Sequence, residues 1–149
     1  MANYINENDL LNAGFRLVYN YPYGHYTMNA EILNIRNQCT SNTLICVGGN
    51  RPSDSLLRVI ACADCLSVTK QTVLNQPKFI GAAFWYFTDS KSFGFSPTST
   101  IKQNIADDYD QESNLRVSWH LDVKDGGWRL GDLVRLNNDT NYYKKIFIN

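Results

Sequence analysis

Hydrophobic and polar residues alternate most regularly near the end of the chain, over residues 115–124. The odd positions are Leu115, Val117, Trp119, Leu121 and Val123, and the even ones are Arg116, Ser118, His120, Asp122 and Lys124. A two-residue period is typical of a β-strand and does not arise from an amphipathic helix. Asp125-Gly126-Gly127 follows and predicts a tight turn with glycines at positive φ. Residues 128–136 are therefore predicted as the partner strand of a hairpin in which Trp119 is buried.

The rest of the chain is predicted as further short strands separated by turns. Residues 14–23 alternate, and the apolar run 79–87 is the best candidate for a central strand. Residues 61–68 fit either a short helix or a strand. The other predicted strands cover 32–35, 44–47, 56–60, 92–96 and 142–148. This spacing predicts an all-β fold, an antiparallel β-sandwich or jelly roll, as one domain over 1–149 with 1–12 as a candidate flexible segment.

Composition and charge limit the classes of partner. The 149 residues include 44% hydrophobic and 19% charged residues, which is typical of one folded domain. Fourteen basic and fourteen acidic residues give a net charge of zero, which disfavours nucleic acid and membrane surfaces as partners. We expect no membrane insertion, because no apolar run approaches the roughly 18 residues of a membrane helix. The polar start of the chain is not a secretory signal, and both an extracellular and a cytoplasmic location stay open.

The four cysteines, Cys39, Cys46, Cys62 and Cys65, permit three disulfide connectivities, a four-thiolate zinc site or free thiols. Only Cys62 and Cys65 have the spacing of zinc ligands. Free buried thiols are therefore favoured over disulfides, and disulfides over zinc.

Catalytic chemistry is not predicted. Ser118, His120 and Asp122 share one strand face, but alternate residues stand roughly 7 Å apart with parallel side chains, too far for a nucleophile and its base. Two histidines, His25 and His120, cannot form a multi-histidine metal centre. We expect no enzyme activity, no cofactor and no catalytic metal. The one candidate for calcium is the acidic cluster of Asp107, Asp108, Asp110 and Glu112, for which a solvated turn is the favoured interpretation.

A neutral saccharide is the ligand class that the polar residues near the hairpin favour. Amide, guanidinium and indole groups offer hydrogen bonds to hydroxyls and a flat surface for a sugar ring. The predicted site comprises Trp128, Arg129, Asn137 and Asn138 on a rim with Arg116, His120 and Asp122 on the polar strand face. Two alternatives remain: the strand residues are the wet face of an ordinary sheet, and Trp128 packs inward while Arg129 pairs with Asp122 or Asp132.

Glycans or glycoproteins are the predicted partners of such a lectin-like domain. The alternative function is a structural, self-associating β-sandwich that forms homo-oligomers or fibres through exposed strand edges. The tripeptide Asn138-Asp139-Thr140 is a glycan acceptor sequence if the chain passes through a secretory pathway.

A series of short motifs resembles poorly characterised eukaryotic modules of extracellular type. The motifs are SFGFSP at 92–97, QN at 103–104, AD at 106–107, RVSWHL at 116–121, GGWR at 126–129 and LN at 136–137. The size and predicted sandwich are also similar to discoidin-like, galactose-binding-like lectin domains. The resemblance implies an extracellular binding module, and it assigns no binding residue by position.

Overall fold

The computed structural model describes residues 1–101 and 113–149, in which ten strands form two five-stranded antiparallel sheets. The predicted all-β class is confirmed at this level. The first sheet consists of β1 (Ala2–Asn6), β2 (Arg16–Pro22), β3 (Leu44–Asn50), β4 (Leu56–Asp64) and β10 (Tyr143–Ile148). The second consists of β5 (Lys78–Ile80), β6 (Ala83–Thr88), β7 (Ser92–Ser96), β8 (Val117–His120) and β9 (Trp128–Leu130). The described residues also contain helices α1 (Glu7–Asn12), α2 (Asn29–Arg36) and α3 (Cys65–Val68), and a 3-10 turn at Ser113–Leu115.

The strands of the first sheet follow the order β1-β4-β3-β10-β2, so β10 lies between two strands that precede it by far in the chain. Tyr143 at the start of β10 pairs with Asn50 at the end of β3. β1 pairs with β4 from Ala2 opposite Ile60 to Asn6 opposite Leu56. Residues 1–12, the candidate flexible segment, thus form an edge strand followed by α1.

The second sheet is a meander in which β5 to β9 are neighbours in chain order. The apolar run 79–87 is split between β5 and β6 by a turn at Gly81, whose φ of 65° suits glycine. The prediction of one central strand there is wrong, since β5 is an edge strand and β7 is the middle strand. A continuous apolar run hides such a turn, because only the glycine marks it.

Buried side chains from both sheets form one hydrophobic cluster. Trp119 is fully buried in it, as predicted. Its members include Ile45, Val47, Val59, Ile146 and Ile148 from the first sheet and Trp85, Phe87, Phe93, Phe95, Val117 and Trp119 from the second. A smaller cluster around Phe147 and Leu57 packs against Leu10 and Phe15, so α1 covers part of the opposite face of the first sheet.

Residues 32–35 belong to α2 and not to the predicted strand. Ile32 and Ile35 are both buried, and their three-residue spacing puts them on one side of a helix. The Glu31 carboxylate accepts a hydrogen bond of 2.7 Å from the backbone N–H of Met28 and so caps the first turn. None of the helices in the described ranges has the length and apolar character needed to cross a lipid bilayer.

All four cysteines are paired in disulfides, so the expectation of free thiols is wrong. Cys46 and Cys62 lie directly opposite each other on β3 and β4 and form one bond. Cys39, which follows α2, is bonded to Cys65 at the start of α3. Alternative pairings could not be distinguished before the register of β3 with β4 and the position of α2 were known.

Candidate functional site

The predicted C-terminal hairpin is present with shorter strands and a longer connection than the pattern indicated. β8 and β9 pair Val117 with Leu130, Ser118 with Arg129 and Trp119 with Trp128. Residues 121–127 form a loop, and neither Gly126 nor Gly127 has a positive φ, so the predicted tight turn is wrong. Gly126 is required for close contact, because a Cβ atom there would lie 1.6 Å from the carbonyl oxygen of His25.

Three predicted site residues, Arg116, His120 and Arg129, are buried. Their exposed fractions are 1%, 6% and 1%. Arg116 donates hydrogen bonds to the carbonyl oxygen of Thr100 at 3.1 Å and to the hydroxyl of Thr98 at 3.0 Å. The expectation of a solvated strand face is therefore wrong for Arg116 and His120, and Arg129 does not lie on an exposed rim. Alternation identifies the side of a strand on which a residue lies, but not whether another segment of the chain covers that side.

Asp122 connects three segments of the backbone. One carboxylate oxygen accepts from the backbone N–H of Asn29 at 3.1 Å, and the other accepts from the hydroxyl of Ser90 at 3.1 Å. Its own N–H donates to the carbonyl of Thr27 at 2.9 Å. Asp122 thus holds the start of α2 and the β6–β7 turn together, which is a structural role.

The three remaining predicted residues, Trp128, Asn137 and Asn138, differ in exposure. Trp128 and Asn137 are half-buried, whereas Asn138 is exposed. Within the described ranges, the indole N–H of Trp128 and the side-chain oxygen of Asn137 are buried without a hydrogen-bond partner. The Trp128 ring lies edge-on to His120, with 6.2 Å between the ring centroids. Much of its surface therefore packs against the protein.

An open polar cleft lies next to the predicted rim. Its volume is about 590 Å³, and we call it the Tyr142 cleft. It is lined by Arg51, Pro52, Ser53, Thr140, Asn141, Tyr142 and Tyr143. The guanidinium carbon of Arg51 lies 5.8 Å from the centre of the Tyr142 ring, and its Nε lies 3.0 Å from an Asp54 carboxylate oxygen. The residues that line the cleft thus include two half-buried tyrosines together with an exposed arginine, asparagine, serine and threonine.

The pairing of β3 with β10 creates this cleft. Because Asn50 lies opposite Tyr143, the loop after β3 and the turn before β10 are brought side by side. Asn137 and Asn138 next to this turn were predicted from the sequence, whereas Arg51 and the two tyrosines were not. The polar loop at 48–55 was visible in the sequence, but nothing in it indicated that β3 pairs with the last strand.

A second cleft, of about 400 Å³, lies on the other side of the β3–β4 loop. It is lined by Tyr4, Arg51, Ser53, Asp54, Ser55, Leu56 and Arg58 and so shares two residues with the Tyr142 cleft. Arg58 forms a 2.8 Å ion pair with Asp132, and the hydrogen bond from Arg58 lowers the pKa of that carboxyl group. This pairing joins the β3–β4 hairpin to the turn after β9.

A buried lysine lies beneath the 121–127 loop. The ammonium of Lys144 donates to the carbonyl oxygens of His25 at 2.8 Å and Gly126 at 3.0 Å, and to the hydroxyl of Thr27 at 2.6 Å. Burial lowers the pKa of Lys144 to about 7, while the charge of Glu31 acts in the opposite direction. With all three donor directions used, Lys144 fixes two loops to β10.

No group of three or more His, Cys, Asp or Glu side chains within residues 1–101 and 113–149 is placed to hold a metal ion. The Asp122 carboxylate is bound to Asn29 and Ser90 and does not orient His120. The candidate calcium cluster of Asp107, Asp108, Asp110 and Glu112 lies outside the described residues.

Comparisons with protein-family models, with curated proteins and with solved structures find no match.

Proposed function

We propose that the protein is a non-enzymatic carbohydrate-binding domain that binds a neutral saccharide in the Tyr142 cleft. One observation carries the proposal. Tyr142, Arg51 and Asn141 line the same open cleft, whose volume is about 590 Å³. A pyranose presents hydroxyl groups around its edge and C–H groups on its face, and these groups match a polar rim beside an aromatic surface.

The chemistry of the cleft favours a neutral ligand over an anion. Among the described residues of the lining, Arg51 alone is charged, and its charge is compensated by Asp54 at 3.0 Å. An anion would have to compete with that carboxylate, whereas a sugar hydroxyl can accept from the guanidinium and donate to a neighbouring oxygen. Amide and hydroxyl groups supply further hydrogen bonds without the cost of desolvating a charge.

Binding at a single cleft is expected to be weak. Ring stacking contributes on the order of 1 kcal/mol beyond area burial, and each net hydrogen bond contributes about as much. Loss of ligand freedom offsets part of both contributions. A protein of this kind gains useful affinity through several sites that act together, so a multivalent glycan or glycoprotein is the expected partner.

Two further features support the proposal. The disulfides support an extracellular location, and the packing of the two sheets supports a β-sandwich. A fold with both cysteine pairs oxidised is typical of oxidising compartments. The shared cluster of core side chains supports two sheets packed face to face, and the meander order of the second sheet is simpler than a jelly-roll connection. Galactose-binding-like domains remain the architectural comparison that we propose.

The proposal is tested with the whole chain on a glycan array, followed by titration calorimetry with the best free sugar. We expect Arg51→Ala and Asn141→Ala each to weaken binding about fivefold, with unchanged melting temperature because both side chains are exposed. The matched controls are Arg16→Ala and Asn20→Ala, exposed residues on β2 that should bind normally. Unchanged binding in both cleft variants, or the absence of any bound glycan, overturns the proposal.

One observation favours the alternative of a self-associating structural protein. Phe79 on edge strand β5 is 64% exposed, and an apolar residue on an open strand edge is a site for strand pairing between chains. Analytical ultracentrifugation over a range of concentrations tests this alternative. Assembly that Phe79→Asp abolishes and that free sugar does not affect supports self-association as the primary function.

A further inference from the structure

We propose that Asn138 is the acceptor of an N-linked glycan. The sequence contains seventeen asparagines, but only Asn138 lies in an Asn-x-Ser/Thr tripeptide, with Asp139 and Thr140. The proposal does not depend on the saccharide-binding function, because it concerns modification of the chain and not ligand recognition.

The acceptor side chain is accessible in the folded protein. Asn138 and Thr140 are both exposed, in the turn between β9 and β10. The described part of the chain gives the Asn138 side-chain amide no hydrogen-bond partner, so attachment of a glycan breaks no such bond there. By contrast, Asn50 is buried and donates to the carbonyl oxygen of Asp54 at 2.9 Å.

The backbone of the same turn is firmly held, which keeps a bulky group on the outside. The N–H of Gly24 donates to the carbonyl oxygen of Asp139 at 2.8 Å, and a Cβ atom at Gly24 would lie 2.9 Å from the carbonyl carbon of Asn138. The Asp139 carboxylate accepts from the N–H groups of Asn141 at 2.8 Å and Tyr142 at 2.6 Å. The backbone carbonyl and the side chain of Asp139, the middle residue of the tripeptide, thus both accept hydrogen bonds that hold the turn in place.

The disulfides supply an independent observation that points to the same compartment. Cys39–Cys65 and Cys46–Cys62 leave no free cysteine in the chain. Disulfides form in the endoplasmic reticulum, which is also where N-glycans are transferred. A protein that acquires both bonds there presents its single acceptor sequence to the transferase.

The modification is a group transfer from a lipid-diphosphate-linked oligosaccharide. The Asn138 side-chain nitrogen forms a bond to the anomeric carbon and loses one proton, while the bond from that carbon to the diphosphate oxygen breaks. The lipid diphosphate is the leaving group, and no oxidant or reductant is consumed. Because Thr140 and Asn141 line the Tyr142 cleft, the attached glycan lies beside that cleft.

The test is expression of the whole chain behind a secretion signal in cultured eukaryotic cells, with intact-mass analysis of the combined cellular and secreted pools. We expect a mass excess that peptide-N-glycosidase removes, with conversion of Asn138 to aspartate in the peptide map. The excess should be lost completely in Asn138→Gln and Thr140→Ala and should persist in Thr140→Ser.

Matched controls are Asn137→Gln and Asn141→Gln, which alter the same turn but leave the tripeptide intact and should keep the glycan. Non-reducing peptide mapping identifies the disulfide-bonded pool. An unmodified Asn138 peptide throughout that pool overturns the proposal, and so does a glycan that persists in Asn138→Gln. Glycan-array binding by protein produced without the modification tests the proposed function separately.

Discussion

The indole nitrogen of Trp119 donates a hydrogen bond of 3.1 Å to the hydroxyl oxygen of Tyr23 in the fully buried core. That hydroxyl in turn donates to the backbone carbonyl of Arg129 at 2.9 Å. One phenol therefore links β8, β9 and the segment that follows β2. Burial raises the pKa of Tyr23, which keeps the hydroxyl protonated and able to donate.

Replacing Tyr23 with Phe removes this link and leaves a buried N–H and a buried carbonyl without their partner. We expect a loss of about 1–3 kcal/mol in the free energy of unfolding, measured by urea denaturation. Tyr26→Phe is the control, because Tyr26 is 45% exposed and should be neutral. Equal stability of the two variants would contradict the proposed role of the hydroxyl.

The lowered pKa of Lys144 makes part of the stability depend on pH. In the unfolded chain this lysine keeps its proton up to its ordinary pKa of 10.5, whereas in the native protein it loses the proton above about pH 7. The unfolded state therefore binds more protons between these values, and the Lys144 contribution to stability rises with pH. Below pH 7 this contribution is lost.

The measurement is the difference in unfolding free energy between the wild type and Lys144→Met from pH 7 to pH 10. It should shift in favour of the wild type by up to about 1.4 kcal/mol per pH unit. Lys124→Met, at an exposed position, should show no such trend. The series stops at pH 10 because the raised pKa values of Tyr19 and Tyr23 lower stability at higher pH. A pH-independent difference for Lys144→Met would exclude the mechanism.

Gly126→Ala is expected to destabilise the protein by more than about 2 kcal/mol, because the added methyl group meets the backbone of His25, which cannot rotate away. The same change displaces an acceptor of Lys144. Asp125→Ala, at the exposed neighbouring position, should stay within about 0.5 kcal/mol of the wild type. The melting temperatures of both variants are compared by thermal denaturation. An unchanged stability of Gly126→Ala would mean that the loop can accommodate the methyl group, contrary to the expectation.

Trp128→Ala separates the predicted hairpin site from the Tyr142 cleft. Since the ring is half-buried against His120, we expect a loss of about 2 kcal/mol in stability and unchanged glycan binding by the folded fraction. Calorimetric titration and melting temperature are measured on the same sample. If Trp128→Ala loses glycan binding while its melting temperature is unchanged, the binding site is at the hairpin and not in the Tyr142 cleft.

Each disulfide is expected to contribute about 3 kcal/mol, with Cys39–Cys65 slightly ahead because it closes the longer loop, 26 residues against 16. Double variants Cys39→Ala/Cys65→Ala and Cys46→Ala/Cys62→Ala allow the comparison by urea denaturation. Non-reducing peptide mapping of the wild type verifies the pairing. A map that links Cys39 to Cys46 or Cys62 would contradict the fold around α2.

The sequence was most informative where a side-chain pattern repeats over one strand. The alternation at 115–124 correctly placed Val117 and Trp119 in the core, and the strands at 44–47, 92–96 and 142–148 were recognised. Helix α2 was missed because Ile32 and Ile35 favour strands locally, and their helical spacing is only one turn long. The meander of the second sheet joins consecutive strands, whereas the first sheet depends on pairings between distant segments.

In the candidate site, too, residues that belong to a local pattern were predicted, and residues that meet only through contacts between distant segments were not. Asn137 and Asn138, from the turn next to the Tyr142 cleft, were predicted as site residues, while Arg51 and Tyr142 meet only through the pairing of β3 with β10. Arg116 and Arg129 were expected at the surface because a charged guanidinium group without a partner is better solvated by water than by the protein interior. Their hydrogen bonds to the backbone and to Thr98 compensate burial, and no local pattern encodes such contacts.

The position of β10 also determines the order in which the fold can form during synthesis. The strand that joins β2 to the rest of the first sheet leaves the ribosome after every strand of the second sheet. Among the described strands β2 pairs with β10 alone, so it lacks this neighbour until then, and β3 is paired with β4 only. The second sheet can assemble on the nascent chain from neighbouring strands, whereas completion of the first sheet waits for Tyr143–Ile148 to emerge.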